Sequence, residues 1–258
     1  PQLLTRLTDH ICDLQIERAE ALLPEARALG KTLANPWLEV FVGHWEMRNR
    51  VGNLCEGERA LGDAVSLFER AHRPDAVECP QSVCVTQDLA ACYANIDGPG
   101  WVQERIEVCE ETLARIDPSW SCYQCLSCEK ADALLDDGRG DAALAYLEQQ
   151  SGTILAHGGE IYDGVPDMRI SILLALGRAA EALELVEQRE REAAREGAEW
   201  ANCSQPRQLQ KTRALALLGR DEEAMQALLL WRDVAPRYRL HWLRAVAVLV
   251  SRAPERNS

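Results

Sequence analysis

Aromatic side chains make up only 5% of this 258-residue chain, with 2 Phe and 5 Tyr beside 7 Trp. Lysine is scarcer still: Lys31, Lys130 and Lys211 are the whole complement, and the other cationic residues are Arg. No apolar run approaches the roughly 20 residues a bilayer requires. The longest, Trp242 to Val250, is broken by Arg244. A signal-like leader is missing and the chain starts at Pro1, so it reads as a segment of a longer protein. No stretch alternates polar and apolar residues for long enough to argue a sheet. Also missing are a phosphate loop, a dinucleotide fingerprint, a zinc-protease helix motif and a nucleophile elbow. The histidines (His10, His44, His72, His157 and His241) have no recurring acid or cysteine neighbours. These absences leave no enzymatic chemistry to assign, and no cofactor is expected.

What is present is acidic and helix-forming. Asp and Glu number 41 against 28 Lys and Arg, a net charge of −13. Such a surface repels phosphates, which disfavours nucleic acid and anionic membrane and favours a basic protein partner. Ala and Leu dominate the composition, and both head the helix propensity ranking. The Arg and Ala bias resembles that of a GC-rich bacterial genome. With 10 Cys and no secretory signal, reduced thiols and a cytoplasmic location are the expectation.

A repeat is visible before any single motif. Gly138-Arg139-Gly140-Asp141-Ala142-Ala143-Leu144, Gly177-Arg178-Ala179-Ala180-Glu181-Ala182-Leu183 and Gly219-Arg220-Asp221-Glu222-Glu223-Ala224-Met225 align without gaps, their glycines 39 and 42 residues apart. Each follows a Leu-rich run and precedes an amphipathic one. Gly takes the left-handed conformation that ends a helix, and an acid in the next first turn faces the positive end of the new dipole. The small Ala lets paired helices approach. Weaker copies read as Gly100 to Ile106, Arg59 to Val65 (without a leading Gly) and Glu17 to Leu22. Pro36, Pro80, Pro118 and Pro236 punctuate the hairpins. The pattern predicts helices near 3–14, 16–33, 37–52, 56–72, 81–95, 101–116, 119–136, 140–156, 166–176, 178–196, 205–218, 220–233 and 237–251.

The spacing resembles the tetratricopeptide repeat (TPR) family. Ala64, Phe68 and Ala71 reproduce its alanine–aromatic–alanine step, and Gly219, Ala224, Leu228, Trp231 and Pro236 most of the rest. The units run 38 to 42 residues instead of 34, and the aromatic and Gly signature of the first helix is mostly missing. The resemblance implies an all-α, right-handed α-solenoid of about six antiparallel hairpins plus a terminal helix, with 1–258 a single superhelical domain. It also implies a non-enzymatic scaffold or regulatory module binding a protein or peptide in a concave groove. If the first helix of each hairpin lines that groove, Asn49, Asn53, Gln87, Cys125, Cys128, Asp132, Ser171 and Arg213 face it, with Arg48 and Arg169 close by. Asn, Gln and Arg can clamp a peptide backbone or carboxylates; as solvated polar positions they would do nothing of the kind. An immunity or chaperone protein masking a basic partner is an alternative within the same class.

Cys122, Cys125 and Cys128 carry the one ligand-like spacing. Steps of three place them along one helical stripe, where they are core or groove thiols, metal ligands needing a fourth from Cys84, Cys92 or His157, or a redox site. Trp37, Trp120 and Trp200 follow turns and are candidates for exposed anchors, the alternative being packing between repeats. His72 and His157 sit near helix C-termini, where a cation favours the dipole. The Gly-rich Gly152 to Pro166 segment reads as a long connection, a hinge or binding loop.

Overall fold

The computed structural model describes residues 2–96, 101–195, 205–230 and 239–252. Thirteen helices occupy them: α1 Gln2–Cys12, α2 Ile16–Leu33, α3 Pro36–Met47, α4 Gly57–Ala71, α5 Gln81–Ala94, α6 Val102–Leu113, α7 Ser121–Asp136, α8 Gly140–Ala156, α9 Gly164–Ala175, α10 Ala179–Arg195, α11 Gln205–Leu217, α12 Asp221–Leu230 and α13 Arg239–Arg252. A wide π-helical turn, Arg48–Asn53, extends α3. No strand occurs among the described residues. The helices pair as six hairpins with α13 at the end, and successive first helices (α1, α3, α5, α7, α9, α11, α13) pack in series as a wall. Gly100, Trp200, Cys203, Trp231 and Pro236 lie outside the described residues.

Among the described residues, five of the hairpin turns follow one rule. A left-handed residue ends the first helix, and five positions later a second-helix residue is buried against its neighbours. Gly138 (φ 75°), Gly177 (φ 75°) and Gly219 (φ 78°) take this conformation. The next amide closes back onto the helix, Arg139 N to Leu134 O at 2.9 Å, Arg178 N to Leu173 O at 2.8 Å and Arg220 N to Leu215 O at 2.9 Å. In two of the three the following Arg pairs with an acid in the new first turn, Arg178 with Glu181 and Arg220 with Glu223, while Arg139 lies 3.8 Å from Asp137, before the turn.

Two non-glycine residues follow the same rule upstream. Leu14 (φ 60°) precedes Ala19 and Cys55 (φ 57°) precedes Ala60, each by five. Ala19, Ala60, Ala143, Ala182 and Ala224 are all 0% exposed. One turn on, Leu23, Ala64, Cys109, Leu147, Val186 and Leu228 are buried as well. The Arg59 to Val65 copy is thus corrected: its true alignment is Cys55 to Leu61, one helical turn earlier. Residues four apart share a helix face, so a one-turn slip leaves the apolar pattern intact and hides itself in the sequence. Left-handed backbone costs a non-glycine residue about 1 kcal/mol. Cys55→Gly is therefore expected to stabilise the fold by about that amount, read as a higher urea midpoint. An unchanged or lower midpoint would show that Cys55 carries no strain.

Capping and prolines set the other boundaries. The Asn35 side chain accepts from Trp37 N at 3.0 Å and Leu38 N at 3.2 Å, with Pro36 at the start of α3. The segment between α8 and α9 is short because α8 continues to Ala156, and Gln124 pins it. The Gln124 amide donates to Glu160 O at 3.0 Å and its oxygen accepts from Tyr162 N at 2.9 Å. Gly159 closes the packing, since a Cβ there would stand 3.1 Å from Ser119 Cα. His72 and His157 fold back at their helix ends onto Phe68 O and Thr153 O.

Candidate functional site

The first-helix wall gathers polar groups on adjacent helices. On α5, Cys84, Gln87 and Asp88 lie within one turn; on α7, Cys122, Cys125, Glu129 and Asp132 follow a similar stripe. Gln87 Nε2 reaches Glu129 Oε1 at 3.5 Å across the two helices. Burial and the Asp132 carboxylate push the Glu129 carboxyl up to about 7, against the opposing pull of Arg105, Gln87 and Arg48. No ion pair holds Glu129 among the described residues. Beside it, His44 Nδ1 and Asp88 Oδ2 meet at 2.7 Å, 8% and 4% exposed. Burial raises the Asp88 carboxyl and His44 draws it back.

Farther along, acids and cations are matched. Arg105, 2% exposed, donates to Asp132 Oδ2 and Asp136 Oδ2, both at 2.6 Å. Arg207, also 2% exposed, donates to Asp167 Oδ1 at 3.0 Å and lies 3.4 Å from Asp163 Oδ1. Gln210 donates to Asp167 O at 3.0 Å and to Ser171 Oγ at 2.6 Å. The last hairpin is different. Burial and Arg244 lower the Arg213 guanidinium, whose Nε lacks a partner. Burial together with Arg244 and Arg213 holds His241 down to about 4, a neutral imidazole at pH 7. The wall therefore carries an unneutralised carboxyl on α7 and two cations without ion pairs among the described residues on α11 and α13.

The expected groove residues divide accordingly. Asn49 and Asn53 are 0% and 1% exposed, so the expectation that they face a ligand is corrected. Asn49 Nδ2 donates to Glu20 Oε1 at 2.6 Å and Asn53 Nδ2 to Ile11 O at 3.0 Å, tying the second hairpin to the first. The π-helical turn is the cause: Leu54 N bonds Asn49 O at 3.0 Å, and the extra residue rotates both side chains inward. Gln87, Cys125 and Arg213 are half-buried on the wall. Asp132 is there too, held by Arg105. Arg169 is elsewhere, pairing with Glu148 at 3.1 Å beside a cavity of about 280 Å³ lined by Leu144, Leu147, Val165 and Leu185.

The cysteine stripe does not converge. Cys122, Cys125 and Cys128 are half-buried, and no three His, Cys, Asp or Glu groups meet as metal ligands among the described residues. Of the fourth ligands considered, Cys92 donates to Gly57 O at 3.0 Å and His157 binds its own helix. Only Cys84 approaches the stripe, 3.8 Å from Cys122. Trp37 and Trp120 are 46% and 50% exposed, as anchors would need, while Trp101 stacks on Tyr93. The spacing of the repeat reached Gln87 and Cys125 but missed Glu129, one turn beyond Cys125. Nothing local could reveal the His44–Asp88 pair, whose members lie 44 residues apart.

No family model and no curated protein matches the chain. Among solved structures, it is similar to the nearly identical TPR-like repeats of a Podosopora anserina kinesin light chain. A variant crystal structure of those repeats superposes with TM-score 0.55 and 20% identity, over 80% of this chain and 98% of that one. A second gives TM-score 0.53 and 19% identity, over 84% and 97%. At this identity the likeness concerns the fold, which is all-α and TPR-like. No helix among the described residues is long and apolar enough to cross a membrane.

Proposed function

We propose that this chain is a non-catalytic binding module whose first-helix wall holds an extended segment of a basic protein. The observation that carries the reading is the Glu129 carboxyl, beside Gln87 and Cys125, with no cation paired to it among the described residues. A Lys or Arg of the ligand supplies the missing charge. Gln87 can bond the ligand's backbone, and Arg213 and Arg244 receive an acidic group farther along. The net charge of −13 steers a basic partner toward the wall. Helical-hairpin repeats present such surfaces ready-made, so little ordering is lost on binding.

Peptide display selection on the chain tests this. Enriched peptides are expected to contain Lys or Arg, and Glu129→Gln to weaken them roughly tenfold, the effect of losing a charge-assisted hydrogen bond. Substitution of Glu184, exposed on the second helix α10, is expected to leave binding unchanged. Selections that yield no basic peptides, or binding indifferent to Glu129, would refute the reading.

Glu129 also makes a pH prediction. A carboxyl whose pKa rises on folding favours the native state most below its unfolded value of about 4.5, and that stability is lost as pH rises through about 7. The thermal stability of the chain is thus expected to fall from pH 5 to pH 8, and Glu129→Gln to flatten that slope. Binding of a basic peptide runs the opposite way, tightening over the same interval as Glu129 ionises. A variant with the parent's pH slope would show that Glu129 is solvated.

A further inference from the structure

Two cysteines distant in sequence meet on the wall. Cys84, in the first turn of α5, and Cys122, in the first turn of α7, bring their sulfurs to 3.8 Å. Both residues are half-buried, so neither is sealed in the core. We propose that Cys84 and Cys122 form a thiol modification site that small disulfides oxidise to an intramolecular bridge between the third and fourth hairpins.

The two sulfurs are not equivalent. Cys122 is the second residue of α7, where unpaired backbone amides and the positive helix end favour a thiolate. Hydrogen bonds from Cys84 and Ser121 and the nearby His44 add to this, against burial, and bring Cys122 down to about 6. Cys84 is pushed up by the same contact and by burial, and so stays protonated. Attack by Cys122 comes first. Its thiolate displaces one thiolate from a small disulfide and leaves a mixed disulfide on Cys122. Cys84 then gives its proton to solvent and attacks the Cys122 sulfur, expelling the second thiolate. Two protein thiols are oxidised by two electrons, and the small disulfide is reduced to two thiols. Closing the bridge requires the sulfurs to move from 3.8 Å to about 2 Å, within the reach of side-chain rotation. Cys125 lies one turn beyond Cys122 and competes as resolving thiol, but the sulfur that meets Cys122 is that of Cys84, at 3.8 Å, and no such contact joins Cys122 to Cys125 among the described residues.

Oxidised glutathione is the probe. The folded chain is treated near pH 7, quenched by acid and alkylation, and mapped by mass spectrometry without reduction. The expected product is a Cys84–Cys122 link with no glutathione retained. Cys84→Ser is expected to trap glutathione on Cys122, and Cys122→Ser to slow loss of the Cys84 thiol at least about tenfold. A Cys122–Cys125 link, glutathione persisting on Cys122 of the parent chain, or reaction at Cys122 no faster than at the exposed Cys55 would each overturn the proposal. The mapping of the parent chain decides it even where a variant does not fold.

Discussion

Asp132→Asn/Asp136→Asn is expected to lower the stability of this chain by about 3 kcal/mol, far more than replacing the arginine they hold. Arg105 occupies the position where other second helices carry Ala60, Ala143, Ala182 and Ala224. It is 2% exposed, while its partners Asp132 and Asp136 have side chains 41% and 46% exposed. Removing both carboxylate charges leaves a guanidinium without a counter-charge in a place water does not reach. Removing Arg105 instead leaves two carboxylates that water can solvate. Arg105→Met keeps most of the volume and is expected to cost about 1 kcal/mol or less. Combining all three substitutions should recover most of what the double variant loses, a coupling read from urea midpoints. If Arg105→Met proves as damaging as the double variant, the site is held by packing and not by charge.

Gly57→Ala should be nearly as severe. Gly57 opens α4 against the end of α5, where a Cβ would stand 2.7 Å from Cys92 O and 2.8 Å from Asn95 C. These are backbone atoms, so no rotamer change relieves the overlap and the two helices must separate. A loss of about 3 kcal/mol is expected, the upper range for overpacking. Gly62, five residues along the same helix, has nothing within 4 Å of its Cβ position. Gly62→Ala is expected to stabilise by about 0.5–1 kcal/mol, since Ala loses less backbone entropy in a helix. The two substitutions differ only in place, so circular dichroism of both against urea tests the α4–α5 packing directly. Equal effects would contradict it.

Much of the fold was legible because it depends on local signals. Gly138, Gly177 and Gly219 mark turns that need a left-handed residue, and the apolar runs between them follow the helical period. The thirteen expected helices match those observed to within a few residues. The upstream alignment failed for an equally physical reason. Leu14 and Cys55 adopt the left-handed backbone without being glycine, and a π-helical turn adds a residue before Cys55. Neither leaves a mark in composition or period.

The candidate site was legible only in part. A rule that first helices form the groove wall placed Gln87, Cys125, Asp132 and Arg213 on it. Asn49 and Asn53 obeyed the same rule in sequence, yet the π-helical turn buried them.

The sequence by itself determined that the chain is a series of helical hairpins, because hydrophobic period and turn chemistry act over a few neighbouring residues. Tertiary structure decided which groups confront each other: Cys84 with Cys122, His44 with Asp88, Arg105 with Asp132 and Asp136. Those meetings are fixed by how far each hairpin rotates on the one before. That rotation is set by side-chain packing between elements 27 to 44 residues apart, beyond the reach of any local pattern.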